Sequence, residues 1–204
     1  MNKDTKQIYQ FKIILEDVKP KIWRRIHVPE KYSFWDFHVA IQDAMGWTDS
    51  HLHQFKIMNP KDCKESCIGI PDDENFIDDS MRTVTAGWKE FIRNYFSKED
   101  YDCCYYEYDF GDGWIHKVEL ENILPATPDC KYPICIAGER ACPPEDCGGV
   151  DGYKNFLKII NNPRHEEHQS MLEWVGGSFD SEKFNPQKVH FDNPKKRWKI
   201  AFKA

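Results

Sequence analysis

The sequence lacks any apolar stretch long enough to cross a membrane. A membrane-spanning helix needs roughly 20 apolar residues in a row, and no part of the 204-residue chain approaches that length. The first residues, 1–6, also lack the apolar core and small-residue cleavage site of a signal peptide. We therefore expect a cytoplasmic protein that does not associate with membranes.

Basic residues are also too few for a protein that mainly grips nucleic acid. The chain has 28 Lys and Arg against 34 Asp and Glu, a net charge of -6. Proteins that bind the DNA backbone are usually basic. A basic C-terminal tail, residues 195–204, contains no acidic residue. DNA binding through this tail therefore stays open as one hypothesis, beside a merely solvated basic face.

Two nucleotide-related motifs are incomplete. Gly148 and Gly149 are not followed by the Lys-Ser or Lys-Thr pair of a phosphate-binding loop. The Asp-Phe-Gly triplet at residues 109–111 has no accompanying kinase glycine-rich loop or catalytic loop. The sequence therefore favours neither an NTPase nor a kinase.

Aromatic residues, by contrast, are abundant. Hydrophobic residues make up 40% of the chain and aromatic residues 14%, a composition unlike that of disordered proteins. A chain of this length can bury a core without disulfides, and we expect one domain spanning residues 1–204. The eight Cys, without an export signal, indicate reduced thiols or a metal site.

Two hairpins and one helix have clear local signals. Apolar and polar residues alternate over residues 9–15 and 22–28, and again over 106–110 and 114–120 around a Gly-Asp-Gly turn. Ser33 and Asp36 form a capping-box pattern and Gly46 suits a helix end, which predicts a helix over residues 34–45.

The remaining elements follow from weaker patterns. We expect a strand over residues 51–58, a helix over 83–97, mostly loop over 125–150, and helices over 153–160 and 168–175. Runs of strands followed by runs of helices predict an α+β fold. Its sheet would be antiparallel or mixed, built from β-hairpins and packed against several helices.

Four segments together resemble a known family. They are KIWRRI (21–26) with Pro29, IQDAMGW (41–47) with HLHQF (51–55), YDFGDGWIH (108–116), and GERACPPEDCGG (138–149) with Gly152, Tyr153 and HEEH (165–168). In this order they resemble the plasmid pRiA4b ORF-3-like family, named after the third open reading frame of a root-inducing plasmid. Some members travel with insertion elements and carry a resolvase-like label. The resemblance implies an α+β domain and no established reaction.

The residues do not support recombinase chemistry. A serine recombinase surrounds its nucleophilic Ser with Arg side chains that neutralise the scissile phosphate. Before residue 82 the chain offers only Arg24 and Arg25, and Ser33 is assigned to a helix cap. The resolvase-like label therefore does not carry over to this chain.

The cysteine-rich loop is one candidate metal site. Four, six and four residues separate Cys130, Cys135, Cys142 and Cys147 in turn, and His165 and His168 follow. Zinc prefers four such ligands, so one hypothesis is a structural zinc held by Cys135, Cys142, Cys147 and His168, with His165 as alternate. The wide spacing lacks a zinc-knuckle pattern, which keeps ordinary reduced thiols as the simpler interpretation.

Two other groups could carry chemistry. His51 and His53 would share one face of a strand, either as metal ligands with a carboxylate or as hydrogen-bonded side chains near Trp47 and Phe55. Asp109, Asp112, Glu145 and Asp146 could converge on a metal ion, as in metal-dependent nucleases. The simpler interpretation of these acids is turn chemistry.

No complete catalytic constellation emerges from these residues. We therefore expect a non-catalytic binding or accessory protein, associated with mobile elements and acting on a macromolecular partner. A metal-dependent hydrolase or nuclease using the four carboxylates, and a DNA-binding protein using the tail, are the alternatives.

Overall fold

The structure, a computed structural model, describes residues 6–71, 84–99 and 102–202. In this part of the chain one eight-stranded sheet is accompanied by four α-helices. The strands are β1 (Gln7–Leu15), β2 (Ile22–Pro29), β3 (His53–Asn59), β4 (Lys64–Gly69), β5 (Val84–Ala86), β6 (Cys103–Tyr108), β7 (Trp114–Pro125) and β8 (Ile134–Glu139). The helices are α1 (Phe34–Met45), α2 (Gly149–Ile160), α3 (His168–Trp174) and α4 (Pro194–Ala201). None of the helices in these ranges has the length and apolar character needed to span a bilayer.

The sheet confirms the predicted α+β class and both predicted hairpins. Its strand order is β5-β4-β3-β6-β7-β1-β2-β8. The β1–β2 and β6–β7 hairpins pair antiparallel, whereas β4 and β5 pair parallel, so the sheet is mixed. The chain reversal between β6 and β7 brings residues 109–113 to one end of the sheet, where the candidate site lies.

Helix α1 confirms the capping prediction at both ends. The Ser33 side chain accepts from the Asp36 backbone, the Asp36 carboxylate accepts from the Ser33 backbone, and Gly46 ends the helix at φ 98. The helix buries Phe34 and Phe37 against the sheet, where the Phe37 ring centroid lies 4.6 Å from that of Phe11. This packing forms the centre of the hydrophobic core.

One element prediction is wrong. Residues 84–86, predicted as helix, form strand β5, and only Ile92–Asn94 forms a short 3-10 turn; position 83 lies outside the described residues. The β-branched Val84 and Thr85 suit a strand, and their pairing with β4 is a long-range effect. Residues 125–150 are mostly loop, as expected, but within them Ile134–Glu139 forms β8 and pairs with β2.

The basic tail contains a packed helix. Asn193 caps α4 by accepting from the backbone of Lys195 and Lys196. The Trp198 ring lies 5.3 Å from that of Trp35 and 4.5 Å from that of Trp88. The tail residues up to 201 are therefore part of the folded body.

Candidate metal centre

Three ligand groups converge where the β6–β7 turn meets the cysteine-rich loop. His51, Asp109 and Asp146 each offer one ligand atom within 4.8 Å of the others. His51 Nε2 lies 2.9 Å from Asp146 Oδ1 and 3.6 Å from Asp109 Oδ2. This nitrogen is shielded from solvent and forms no directional hydrogen bond with the described residues. This imidazole nitrogen thus lies close to two carboxylates but forms an ordinary hydrogen bond with neither.

The β6–β7 turn fixes the Asp109 carboxylate. Asp109 adopts φ 54, a left-handed conformation that Asp tolerates better than most residues because its short side chain bonds locally. Its Oδ1 accepts from the backbone N–H of Gly111 at 3.0 Å and of Asp112 at 3.3 Å. The turn therefore occupies Oδ1 and leaves Oδ2 directed at His51.

A clamp of hydrogen bonds holds the loop that carries Asp146. Trp47 Nε1 donates to the Pro143 carbonyl at 3.0 Å. Glu145 Oε1 accepts from the Thr48 backbone at 2.8 Å and from the Tyr108 hydroxyl at 3.1 Å. Glu145 is thus a structural carboxylate, and its bonds place the next residue, Asp146, beside His51.

Asp112 joins the turn to the start of α2. Its Oδ2 accepts from the Gly148 backbone at 3.1 Å. Gly149, at φ 66, lies so close that an added Cβ would meet the Asp112 carbonyl oxygen at 2.4 Å. Gly149 is therefore needed for the close approach of the two backbones, and no sequence pattern links it with Asp112.

The centre is open on one side. The Asp146 side chain is 68% exposed and that of His51 30%, whereas that of Asp109 is 9% exposed. One imidazole nitrogen and two carboxylates suit borderline divalent ions such as Zn²⁺ or Mn²⁺. An ion held by three protein ligands keeps positions for water or substrate, as catalytic metal sites do.

Apolar side chains flank this opening. Leu52 is 53% exposed and Phe110 55%, and the Asp109 backbone donates to the Leu52 carbonyl at 2.9 Å. The residues adjacent to two of the three ligands therefore present hydrophobic groups to solvent. We call Leu52 and Phe110 the apolar lip.

A second cluster, His38, Asp49 and His53, also places three ligand atoms within 4.8 Å of one another. Here the groups are joined by a hydrogen-bond chain. Gln42 donates to the Tyr106 hydroxyl at 2.8 Å, that hydroxyl lies 2.8 Å from His38 Nδ1, and His38 Nε2 lies 2.7 Å from Asp49 Oδ1.

The second cluster is better suited to a structural role. The His38 and His53 rings stack with centroids 3.4 Å apart and planes 5° apart; parallel rings cannot both point a nitrogen lone pair at one ion. Burial lowers the pKa of both imidazoles well below the usual value and raises that of Asp49 to about 6. The imidazoles are therefore neutral members of a buried network.

The two histidines expected on one strand face are separated. The prediction was wrong because β3 begins at His53, so His51 lies in the preceding segment. His53 packs in the buried network, whereas His51 joins the turn acids. The third ligand missing for His51 was already present among the four carboxylates, but no sequence signal connects residues 51, 109 and 146.

The structure does not gather the proposed zinc ligands. No cysteine of the described ranges belongs to a group of three close ligand atoms. Cys135 Sγ lies 3.5 Å from the Ala137 carbonyl oxygen, and His168 Nδ1 lies 3.2 Å from the Ile159 carbonyl oxygen. Burial raises the pKa of Cys147 to about 12. Zinc binding by this set, including His165, stays a prediction.

The comparisons with known proteins identify a family, a relative and a similar solved structure. The family model described as plasmid pRiA4b ORF-3-like protein matches residues 7–188. The uncharacterised protein y4hQ of Sinorhizobium fredii is 34% identical over 178 residues, covering 85% of this chain and 84% of that protein. The crystal structure of a protein of unknown function, MM3350 of Methanosarcina mazei Go1, superposes with a TM-score of 0.83 at 42% identity, covering 91% of this chain and 99% of that one.

Proposed function

The chain belongs to the plasmid pRiA4b ORF-3-like family, and within it we propose a divalent-metal-dependent hydrolase with its ion at His51, Asp109 and Asp146. The observation that carries this proposal is the convergence of the three ligand atoms within 4.8 Å. It favours a metal-dependent enzyme over a non-catalytic binding protein, because two of the four candidate carboxylates, those of Asp109 and Asp146, lie close to the His51 imidazole.

The ion would resolve an electrostatic conflict in the site. Asp109 and Asp146 place two carboxylates around one imidazole nitrogen, and like charges at such separations repel. Backbone N–H groups of the turn hold the Asp109 carboxylate, and the hydrogen bonds of Glu145 hold the loop that carries Asp146, whether or not the repulsion is relieved. A divalent cation neutralises both carboxylates and binds the nitrogen that has no directional partner.

Hydrolysis follows from the open side of the centre. A bound divalent ion lowers the pKa of its water and polarises the oxygen of an ester or phosphate substrate. The exposed Asp146 leaves room for that water, and Asp109 anchors the ion from the buried side. Asp112 and Glu145 act by fixing the loops, since both accept backbone N–H donors.

A second function is favoured by the apolar lip. Leu52 and Phe110 present hydrophobic groups beside the centre, and exposed hydrophobic groups often mark contact surfaces. A binding or accessory protein, associated with mobile elements, could use the lip to hold a macromolecular partner. Loss of partner capture in Phe110→Ser with unchanged metal affinity would support this alternative.

Calorimetric titration with Mn²⁺ and Zn²⁺ tests the metal centre. We expect one ion per chain, and an affinity more than about tenfold lower in His51→Ala and Asp109→Asn. His190→Ala removes an exposed imidazole outside the centre and is the matched control. Hydrolysis of bis-p-nitrophenyl phosphate should require the ion and be lost in both centre variants. Equal affinity in all four proteins would refute the site, whereas ion binding without turnover on phosphodiester and carboxylic ester substrates would refute the hydrolase.

A further inference from the structure

A separate cavity of about 700 Å³ is lined in part by the loop that carries Glu145. The end of α1, residues 141–145 and residues 183–190 form its walls. Ligand pockets for small organic molecules typically have about 300–1,000 Å³. The cavity shares Glu145 with the surroundings of the metal centre but none of the three ion ligands.

Arg24 forms part of the cavity wall and is 1% exposed. Its Nε donates to the Ala44 carbonyl at 2.8 Å, and Nη1 donates to the carbonyls of Trp23 at 2.8 Å and Glu139 at 2.9 Å. No hydrogen bond to a described residue engages Nη2. The Phe184 ring lies against the guanidinium, with its centroid 3.6 Å from Cζ. Carbonyls and an aromatic face thus orient a buried cation and leave one amino group for a ligand.

The protein supplies no counter-charge for this cation within the described ranges. Arg24 forms no ion pair there, and the two carboxylates of the cavity are used elsewhere. Asp43 accepts from Arg197 at 2.6 Å, and Glu145 accepts from Thr48 and Tyr108. The nearby Cys142 and Cys135 thiols stay neutral because burial raises the pKa of each. A buried, unpaired charge is strongly unfavourable. A bound anion would therefore compensate the charge of Arg24.

We propose that this cavity binds a small organic anion, with a phosphate or carboxylate head on Arg24 Nη2 and an apolar body against the cavity-lining side chains, which include Trp47 and Phe184. An Arg guanidinium is suited to such oxyanions because its planar donors match their geometry. Two exposed cations of the cavity wall, Lys183 and Lys188, add positive potential at the entrance and favour anions over neutral molecules. This binding activity is independent of the metal centre.

Titration with 1-naphthyl phosphate, 1-naphthoate and neutral 1-naphthol tests the proposal. The metal-free protein in EDTA is used, so that an ion at His51 cannot bind the head group. We expect at least one anion to bind more than about tenfold tighter than 1-naphthol, and the tighter anion identifies the head group. The Trp47 indole signal should shift in ¹⁵N-edited NMR spectra, because Trp47 lines the cavity.

Three variants separate charge from folding. Lys183→Ala/Lys188→Ala changes only exposed side chains of the cavity and should weaken anion binding about fivefold. Lys61→Ala/Lys64→Ala removes the same charge from the exposed β3–β4 turn and should leave it unchanged. Arg24→Lys, if folded, should abolish the preference for anions over 1-naphthol. The proposal is overturned if 1-naphthol binds as tightly as both anions, if both double variants bind alike, or if the shifted signals lie outside the cavity.

Discussion

At the scale of single residues, the acids of both clusters share an unusual backbone. Asp109, Asp146 and Asp49 have φ of 54, 55 and 61°. A left-handed conformation costs a residue with a Cβ about 1–2 kcal/mol, less for Asp. Such residues often occur at functional sites. These aspartates are therefore suited both to the turns and to placing a carboxylate that an extended backbone would direct elsewhere.

Variants of Asp109 allow its role in the turn to be separated from its role as a proposed metal ligand. Asp109→Asn keeps the Oδ1 acceptor for Gly111 and Asp112, so we expect unfolding free energy within about 1 kcal/mol of the native value. Asp109→Ala loses that acceptor and should cost about 1–3 kcal/mol. Both variants should lose metal affinity. Urea denaturation beside metal titration checks this, and an equally destabilised Asn variant would contradict it.

His116 makes stability depend on pH. It is fully buried, and burial lowers its pKa to about 3. The unfolded chain takes up a proton near pH 6.5 that the folded protein does not, so stability falls as pH decreases from 6.5 towards 3. At pH 5 this one imidazole accounts for about 2 kcal/mol.

Replacing this imidazole tests the direction of the effect. His116→Phe removes the titrating group but also the contact of Nδ1 with the Tyr106 carbonyl oxygen, so it should be less stable at pH 7 by about 1 kcal/mol. Its loss of stability between pH 7 and pH 5 should be smaller than that of the native protein by about 2 kcal/mol. If urea denaturation gave the same loss of stability between pH 7 and pH 5 for both proteins, His116 would not be the cause of the pH dependence.

Local signals made the residues of the site visible but not their grouping. His51, Asp109 and Asp146 all stand out in the sequence, and Asp109 and Asp146 belong to one predicted carboxylate set, but His51 was grouped with its chain neighbour His53. Spatial contact between residue 51, the β6–β7 turn and the 143–148 loop depends on strand order, which neither spacing nor periodicity reveals. The site was therefore only partly predictable.

At the scale of elements, prediction succeeded where the determinants are local. Both ends of α1 are set by residues within one turn of the helix, and the β6–β7 hairpin is set by its own turn. Strands β5 and β8 depend on pairing with β4 and β2, which are distant from them in sequence. Strand β5 has only three residues, which are too few to show an alternating pattern. The helical spacing of apolar residues over 83–97 therefore dominated the prediction.

The start of α2 gives an element-scale prediction. Gly149→Ala combines positive φ with a Cβ 2.4 Å from the Asp112 carbonyl oxygen, whereas Gly176→Ala has positive φ and no atom within 4 Å. We expect Gly149→Ala to be the more destabilising by more than about 1 kcal/mol. It should also weaken metal binding, because the turn carrying Asp109 must move. Equal thermal stability and metal affinity in the two variants would contradict this packing.

At the scale of the whole molecule, the C-terminal segment belongs to the fold. Arg197 pairs with Asp43 and Asp192 at 2.6 Å each, and Trp198 and Phe202 pack on Trp35. Of the basic residues in α4, Arg197 is engaged within the protein, whereas Lys195, Lys196 and Lys199 are exposed. The overall charge of -6 further disfavours a strong DNA-binding surface here.

Truncation after Pro194 should therefore act through folding. It removes the aromatic cover of Trp35 and leaves the Asp43 side chain, 6% exposed, without its cation, at a cost of about 3 kcal/mol or more. Lys195→Ala/Lys199→Ala removes only exposed charges and should leave the melting temperature unchanged. If the double variant lost salt-dependent DNA binding while the truncated protein kept full stability, the tail would be a DNA-binding element instead.

Anomalous diffraction from crystals soaked in Mn²⁺ tests the metal centre most directly. We expect one strong peak within coordination distance of His51 Nε2, Asp109 Oδ2 and Asp146 Oδ1, and its loss in crystals of His51→Ala. No peak at these three atoms, or a peak only among Cys135, Cys142 and Cys147, would contradict the assignment. His51, Asp109 and Asp146 would then have only a structural role, where the turn contacts the loop.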